Sequence, residues 1–325
     1  MDGLTPRNMT TDIQPIVTIE KLSHDYGQHR AIDNLSLGVF PGEIFGFLGP
    51  NGSGKTTLFR ILCTLMKAQQ GQVRILGLDV NTQRDEIRKQ IGIVFQSPSL
   101  DKQLTAAENL RHQGHLYGLS GTDLEQRIDQ MLARVGLNER PKEYVSTFSG
   151  GMRRRVELAK GLLHNPRLLL LDEPSTGLDP GARISLWNYL RDIRDTQGVT
   201  VMVTTHLMDE AEHCNRLAIM DQGRLVACDS PAHLREKIGG DVITLTSKVP
   251  DKLNAAIIEK FSVKTSIFDN TIRIERDRGH EFIPALVEAF PGIISSVSLS
   301  KPTLEDVFVN VTGKKFEPEP KEKKR

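Results

Sequence analysis

Apolar and polar residues alternate at the start of the chain, whereas further along short apolar strands are separated by helical segments. Between Val17 and Val39 apolar residues recur at alternate positions on both sides of a turn at residues 25–27, which is typical of antiparallel strands. Pro41 and Gly42 close this segment. The compact apolar run Ile44–Leu48 then predicts a strand that leads into a glycine-rich loop and a helix, Lys55–Leu65.

Short apolar strands alternate with helices over the next part of the chain. The predicted strands are Val73–Ile75, Ile91–Phe95, Leu168–Leu171, Thr200–Thr204 and Leu217–Met220. The predicted helices are Leu104–Tyr117, Leu124–Val135, Gly151–Leu163, Ala182–Arg194 and Met208–Cys214. Because this alternation indicates a parallel sheet, we expect an α/β fold with a mostly parallel sheet. The strand-poor region from about 100 to 160 predicts a helical insertion.

The pattern changes near residue 230. Strands at 242–246, 263–267, 271–275 and 293–300, with helices at 250–261 and 279–289, predict a small α+β unit with a split βαβ arrangement. We therefore expect a flexible N-terminus over residues 1–16, a main domain over 17–238, an accessory domain over 239–313 and a disordered tail over 314–325.

Composition limits the possible functions. In 325 residues, 38% are hydrophobic and 26% are charged, which favours a folded chain, and the net charge of +1 gives no support for a nucleic-acid-binding surface. The three cysteines form neither a CxxC pair nor a zinc spacing, and no signal peptide is evident, so a reducing compartment is expected. The longest tight apolar run is Leu168–Leu171, well short of the roughly 20 residues that span a bilayer. Any transport pathway must then come from another polypeptide.

The glycine-rich loop carries the strongest chemical signal. Residues 49–56, GPNGSGKT, fit the phosphate-loop pattern G-x-x-x-x-G-K-[ST] between the expected strand and helix. Glycines allow successive N–H groups to surround phosphate oxygens at a helix N-terminus. Lys55 would reach the β- and γ-phosphates of ATP, and the Thr56 hydroxyl would bind Mg²⁺. The predicted nucleotide-binding residues are Gly49, Pro50, Asn51, Gly52, Ser53, Gly54, Lys55, Thr56 and Thr57.

A second signal is the apolar strand Leu168–Leu171, which ends in Asp172 and Glu173. An acid at the carboxyl edge of a buried sheet lies beside the phosphate loop. We expect Asp172 to hold Mg²⁺ through water and Glu173 to orient or deprotonate the attacking water. An acidic turn that merely ends a strand is the alternative, and the phosphate loop argues against it.

The segment Phe148-Ser149-Gly150-Gly151-Met152 resembles the LSGGQ signature of the ATP-binding cassette (ABC) family. Phe148 replaces the leading Leu, and Met152 replaces the final Gln, so a polar contact from that last side chain is lost. With the three arginines that follow, the segment looks like the drug-exporter subfamily typified by daunorubicin-resistance ATPases. The resemblance implies a P-loop NTPase cassette with an antiparallel β subdomain, in which Ser149, Gly150 and Gly151 serve the nucleotide of the opposite subunit. A plain helix cap is the alternative.

Other positions match the family one by one. Tyr26 resembles the aromatic residue that stacks on adenine, with an ordinary packing tyrosine as the alternative. Gln96 matches the glutamine that contacts Mg²⁺ and the membrane partner. Asp179, in Gly177-Leu178-Asp179, matches the loop that contacts the other subunit, and His206 matches the histidine that contacts the γ-phosphate.

The C-terminal end of the resemblance is less specific. The stretch 302–313 resembles the subfamily's C-terminal extension, and the alternative is an amphipathic helix that packs on the small domain. A nucleic-acid patch at Arg153–Arg155 is disfavoured, because three arginines on a helix more often form ion pairs or a solvated face.

The function implied by the resemblance is that of an ATPase subunit of an exporter. Two cassettes would clasp two ATP–Mg²⁺ and drive a separate multispanning permease, which would hold the chain at the inner, cytoplasmic face of the cell membrane. One alternative is a non-transport ABC ATPase of the translation or repair type, but the single cassette and the lack of coiled-coil or zinc motifs argue against it. The other is a nucleotide-driven assembly module, which Glu173 and His206 argue against.

Overall fold

The computed structural model describes residues 14–268, 270–314 and 316. The strands are β1 (Val17–Tyr26), β2 (His29–Val39), β3 (Ile44–Leu48), β4 (Gln70–Ile75), β5 (Leu78–Asp79), β6 (Ile91–Val94), β7 (Leu168–Asp172), β8 (Thr200–Thr205), β9 (Arg216–Asp221), β10 (Arg224–Asp229), β11 (Asp241–Ser247), β12 (Thr265–Phe268), β13 (Thr271–Arg276) and β14 (Ile294–Ser300). The helices are α1 (Lys55–Leu62), α2 (Arg84–Arg88), α3 (Ala106–Leu116), α4 (Gly121–Arg134), α5 (Gly150–Leu162), α6 (Pro180–Gln197), α7 (Met208–Ala211), α8 (Pro231–Glu236), α9 (Pro250–Phe261), α10 (Gly279–Ala289) and α11 (Leu304–Thr312).

The central sheet has the strand order β10-β9-β3-β8-β7-β6, and only β10 is antiparallel to its neighbour. Strand β7 is buried on both faces: Leu168 and Leu170 pack toward the first strands of the chain, and Leu169 and Leu171 pack toward the helices. This is why its sequence is continuously apolar. Each fully buried leucine stabilises the fold by about 1.5–3 kcal/mol. The predicted mostly parallel sheet is confirmed.

A second sheet, of order β2-β1-β4-β5, is antiparallel throughout. The placement of Val73–Ile75 among the strands of the parallel sheet was wrong. Strand β4 pairs with β1, with Val17 opposite Ile75 and Ile19 opposite Val73. The apolar residues of these strands form one core with α1 and one face of the central sheet, so local pattern alone could not show which sheet β4 joins.

The strand-poor region is helical, as expected. Helices α3, α4 and α5 follow one another between β6 and β7, and their apolar faces share one core with α6 and the central sheet. Helix α3 begins with a capping box, in which Thr105 and Glu108 satisfy each other's backbone N–H groups. Helix α5 also contacts β6 of the central sheet. It therefore connects the insertion to that sheet.

The C-terminal unit has the element order β11-α9-β12-β13-α10-β14 and the sheet order β12-β13-β11-β14. All its strand pairs are antiparallel. Ile243 and Leu245 on the sheet pack against Leu253 and Ile257 of α9 and Leu286 of α10, which gives this unit its own core. The predicted α+β arrangement is confirmed.

Helix α11 returns from the C-terminal unit to the main part of the chain. Its apolar residues Leu304, Val307 and Phe308 pack with Leu217 of β9 and Leu234 of α8. The alternative that this helix packs only on the small unit was wrong, because its apolar face joins the core of the main part of the chain. Its polar side contacts the small unit through an ion pair between Arg273 and Asp306.

The predicted flexible start and charged tail fall largely outside the described residues, which exclude 1–13, 315 and 317–325. Within the described part, Ile16 and Phe316 are buried. No helix in this part of the chain is long and apolar enough to cross a bilayer.

Candidate functional site

The predicted phosphate loop lies between β3 and α1, at the carboxyl edge of the central sheet. The Lys55 side chain is 4% exposed, and its Nζ donates to the carbonyl oxygens of Gly49 at 2.7 Å and Pro50 at 3.0 Å. These carbonyls curve the loop around the ammonium group. The loop thus holds a cation at the N-terminus of α1, where the helix also favours an anion.

Glycine is required at both ends of the loop. A Cβ atom on Gly49 would lie 2.4 Å from the Met220 carbonyl oxygen, and one on Gly54 would lie 2.4 Å from that of Ala31. Gly54 also has φ +99° as the residue before α1, and Gly52 has φ +79°. Both angles lie in the left-handed region that disfavours L side chains.

The remaining loop residues differ in exposure. Asn51, Gly52 and Thr56 are exposed, whereas Ser53 and Thr57 are buried. The Ser53 hydroxyl is buried without a hydrogen-bond partner among the described residues. Thr56 is exposed in the first turn of α1. An exposed threonine beside Lys55 can offer its hydroxyl to a ligand that enters the loop.

Two acids end strand β7 beside this loop. The Asp172 carboxylate accepts a 2.5 Å hydrogen bond from the Thr204 hydroxyl of the neighbouring strand. Glu173 follows with φ +43°, and its backbone N–H donates to the Thr204 carbonyl oxygen at 3.2 Å and to its hydroxyl at 3.0 Å. An unusual φ at a non-glycine residue persists only where its surroundings hold it. Here Thr204 holds it.

Three predicted catalytic residues meet at the Glu173 carboxylate. Gln96 Nε2 donates to Glu173 Oε2 at 3.0 Å, and His206 Nδ1 lies 3.3 Å from Glu173 Oε1. The Thr176 hydroxyl also donates to Oε2, at 3.4 Å. Gln96 follows β6, Glu173 follows β7 and His206 follows β8, so the adjacency of these strands brings the three together.

The two acids have different electrostatic surroundings. Burial raises the pKa of Asp172, against the opposing effects of the Thr204 hydrogen bond and the Lys55 charge. Burial would also raise the pKa of Glu173, but contact with His206 and the charge of Lys55 outweigh it and lower that pKa below its usual value. Glu173 is therefore ionised at neutral pH.

Thr204 was missed by the sequence analysis. It is 2% exposed, lies opposite Asp172 in the register of β7 and β8, and bonds to both acids. The available signal was a threonine pair, Thr204 and Thr205, at the end of an apolar strand. The pairing of Thr204 with Asp172 could not be predicted without knowing that β7 and β8 are neighbours.

The signature segment lies on a different surface. Ser149 and Gly150 are exposed at the N-terminus of α5, and the Ser149 hydroxyl accepts from the Met152 N–H at 3.3 Å. Ser149 therefore caps α5, and its role toward the nucleotide of another subunit stays a prediction. Asp179 likewise caps α6, accepting from the Ala182 N–H at 2.9 Å.

The two capped helix ends adjoin one another. A Cβ atom on Gly151 would lie 2.9 Å from the Ala182 Cβ, so glycine permits the close approach of α5 and α6. Ser149, Gly151 and Asp179 line one open cleft of about 260 Å³. Met152 packs against the core between the helices, which accounts for an apolar residue at this position.

Tyr26 is 45% exposed at the end of β1. Its ring meets His24 edge-on at a centroid distance of 5.0 Å, and its hydroxyl donates to Met66 Sδ at 3.4 Å. The side chain is thus exposed enough to be reached by a base, which stacking requires.

The residues present fit a magnesium ion. Thr56, Gln96 and Asp172 offer hydroxyl, amide and carboxylate oxygens, which are hard donors suited to Mg²⁺. Within the described ranges, no group of three or more His, Cys, Asp or Glu side chains could hold a metal ion by itself. Mg²⁺ is usually held by one or two carboxylates together with substrate phosphates and water.

Comparison with known proteins decides the family. Residues 32–176 match the ABC transporter family. The chain is 34% identical to daunorubicin resistance ATP-binding protein DrrA3 of Streptomyces coeruleorubidus, over 91% of this chain and 96% of that protein. It is 37% identical to Nod factor export ATP-binding protein I of Neorhizobium galegae, over 95% and 86%. This chain belongs to the ABC transporter family.

Solved structures agree with this assignment. An ATP-binding subunit of an ABC transporter matches with a TM-score of 0.62 and 28% identity, over 69% of this chain and 93% of that one. A dimeric ATP-binding cassette bound to ADP and Pi matches with a TM-score of 0.60 and 28% identity, over 66% and 98%. This ABC protein is an ATPase with the predicted cassette fold, and the prediction of an exporter-type ATP-binding subunit is confirmed. ABC cassettes bind ATP or ADP, form dimers and work with membrane permeases.

Proposed function

We propose that this ABC ATPase works as a homodimer in which each ATP is clasped between the phosphate loop of one copy and the signature turn of the other. Lys55 binds the β- and γ-phosphates, and the adenine stacks on Tyr26. Ser149, Gly150 and Gly151 of the second copy contact the γ-phosphate, with Asp179 beside them. The exposure of Ser149 and Gly150 supports this arrangement, because both can face a neighbour.

The cluster of Gln96 and His206 around the Glu173 carboxylate is the observation that carries the proposed chemistry. Water attacks the γ-phosphorus as the bond to ADP breaks, and Glu173 accepts the water proton. His206 holds the γ-phosphate, and Gln96 orients the water and senses the phosphate. Thr56, Gln96 and Asp172 would hold Mg²⁺, which when bound neutralises charge on the phosphates.

Hydrolysis and phosphate release remove the negative charge that joins two positive helix ends, so the dimer opens. Because nucleotide has a higher affinity for the closed state, it can drive a conformational cycle. Gln96 and the helices α3–α5 transmit this cycle to a separate multispanning permease, which holds the dimer at the inner, cytoplasmic face of the membrane. Relatives named for drug resistance and for Nod factor export support export as the direction.

The test measures phosphate release by the purified chain. Light scattering on the same sample measures its oligomeric state. The proposal expects ATP- and Mg²⁺-dependent turnover that rises more than linearly with protein concentration, because only the dimer is active. Co-purification of the chain with a multispanning membrane protein tests the transport role. ATP-driven assembly without phosphate release would favour the assembly module instead and would overturn the proposal.

A further inference from the structure

Helix α5 carries a buried arginine about one turn beyond the signature residue Ser149. The sequence analysis favoured ion pairs or a solvated face for the three consecutive arginines. Arg154 does form an ion pair, but it is only 6% exposed. It points into the chain rather than into solvent.

The Arg154 guanidinium binds the backbone at two places in the chain's own site. Its Nε donates to the Pro174 carbonyl oxygen at 2.6 Å, and its Nη2 donates to that of Glu173 at 3.3 Å. Its Nη1 donates to the Phe95 carbonyl oxygen at 2.7 Å. Phe95 immediately precedes Gln96. One side chain therefore joins the segment that carries Gln96 to the segment that carries Glu173.

Glu157 binds the far end of the Gln96 segment. Its Oε2 accepts from Arg154 Nη1 at 2.8 Å, and its Oε1 accepts from the Ser99 N–H at 2.7 Å. Lys160 Nζ donates to the Ser99 carbonyl oxygen at 2.8 Å. Residues 95–99 are thus held at both ends by side chains of α5.

The hydrogen bonds of Arg154 and Glu157 fix the position of the groups that they bind. A buried ion pair is costly to desolvate, and it stabilises a fold only when its hydrogen-bonding groups are satisfied. The planar guanidinium donates in fixed directions, so it fixes the relative position of the carbonyl groups it binds. A movement of α5 would therefore shift the Gln96 and Glu173 segments with it.

We propose that Arg154 and Glu157 are positioning residues that link the two nucleotide sites of the dimer. When Ser149 at the start of α5 engages the partner's nucleotide, Arg154 and Glu157 align Gln96 and Glu173 around the nucleotide of their own chain. The link rests on the proposed function, because it requires the signature turn to act across the dimer.

The test measures hydrogen exchange of the backbone amides of Gln96, Ser97 and Ser99 with and without Mg-ATP. It uses Glu173→Gln protein, which we expect to bind ATP without hydrolysing it. In Glu173→Gln protein, ATP should slow this exchange. In the double variant with Arg154→Gln, the exchange rate with ATP should be about tenfold or more higher, while residues 49–57 stay protected. A merely structural arginine would instead raise the exchange of 96–99 by one factor in both states, and that outcome overturns the link.

Turnover gives a second readout in protein with an intact Glu173. Arg154→Gln should lower kcat about tenfold with KM unchanged, and Arg154→Lys should not restore it, because one ammonium cannot reach three carbonyl groups. The matched control is Arg155→Gln, which removes the next arginine of α5. Its Nη1 donates to the Val135 carbonyl oxygen in the insertion. Equal kcat in the Arg154 and Arg155 variants overturns the link.

Glu157→Gln is the second variant if Arg154→Gln lowers the yield of folded protein. It keeps the side-chain volume and should lower kcat by about threefold.

Light scattering distinguishes a failure of this link from a failure of the proposed function. If Glu173→Gln fails to dimerise with ATP, both are wrong, whereas normal dimerisation with no effect of Arg154→Gln refutes the link alone.

Discussion

The phosphate-loop side and the signature side of the proposed nucleotide site differ in how far their own chain surrounds them. Lys55 and Asp172 are 4% and 9% exposed and are bound by loop carbonyls and by Thr204. Ser149 and Gly150 are exposed at a helix end. The first set is arranged by its own fold, and in the proposed dimer the second set acts only on the nucleotide of another copy.

Because of this difference, we expect substitutions on the two sides to have different effects. Changes on the enclosed side should alter binding or chemistry in each copy separately. Changes on the exposed side should leave the isolated chain's affinity intact and alter only association. The variants below test this separation.

Glu173→Gln should have the largest effect. The amide keeps the side-chain volume but cannot accept a proton, so kcat should fall by about 10²–10⁴-fold while ATP affinity stays within about twofold. Steady-state phosphate release and equilibrium binding of a fluorescent ATP analogue provide the two measurements. Normal turnover in this variant would refute the role of Glu173.

Lys55→Ala should weaken nucleotide binding by about 10–100-fold, because charge-assisted contacts to phosphate are worth about 1.5–3 kcal/mol. Binding of the same fluorescent analogue measures it. Lys67→Ala, at an exposed lysine beyond α1, is the control and should bind normally. Unchanged affinity in Lys55→Ala would mean that nucleotide does not enter this loop.

Thr204→Val should lower kcat about tenfold and should also destabilise the fold by about 1–3 kcal/mol, because the buried Asp172 carboxylate loses its hydroxyl donor. Valine has nearly the same shape but cannot donate to Asp172 or accept from the Glu173 N–H. Thr204→Ser keeps the hydroxyl and should retain most activity. If valine and serine behave alike, Thr204 acts by packing alone.

Ser149→Ala should have the smallest effect, and it should weaken association without lowering the nucleotide affinity of the isolated chain. Loss of the hydroxyl removes a helix cap and the proposed contact to the partner's phosphate, which should weaken ATP-driven dimerisation about fivefold in the Glu173→Gln background. Light scattering over a range of protein concentrations measures it. A matching loss of monomer affinity would contradict the separation of the two sides.

Much of this arrangement could be predicted because its signals are local. The loop around Lys55, the strand ending in Asp172 and the C-terminal β-α-β-β-α-β order each depend on neighbouring residues. The pairing of β4 with β1, the Thr204 bridge and the inward turn of Arg154 depend on contacts between distant parts of the chain. Helix α11 shows the same limit, since its amphipathic pattern predicted a buried face but not which core it joins.

A structure of the Glu173→Gln protein with Mg-ATP tests the central claim most directly. The prediction is that Ser149 and the Gly151 N–H of one copy lie within hydrogen-bonding distance of the γ-phosphate held by Lys55 of the other. A phosphate contacted by one copy alone, with the Ser149 turn facing solvent, would contradict the account.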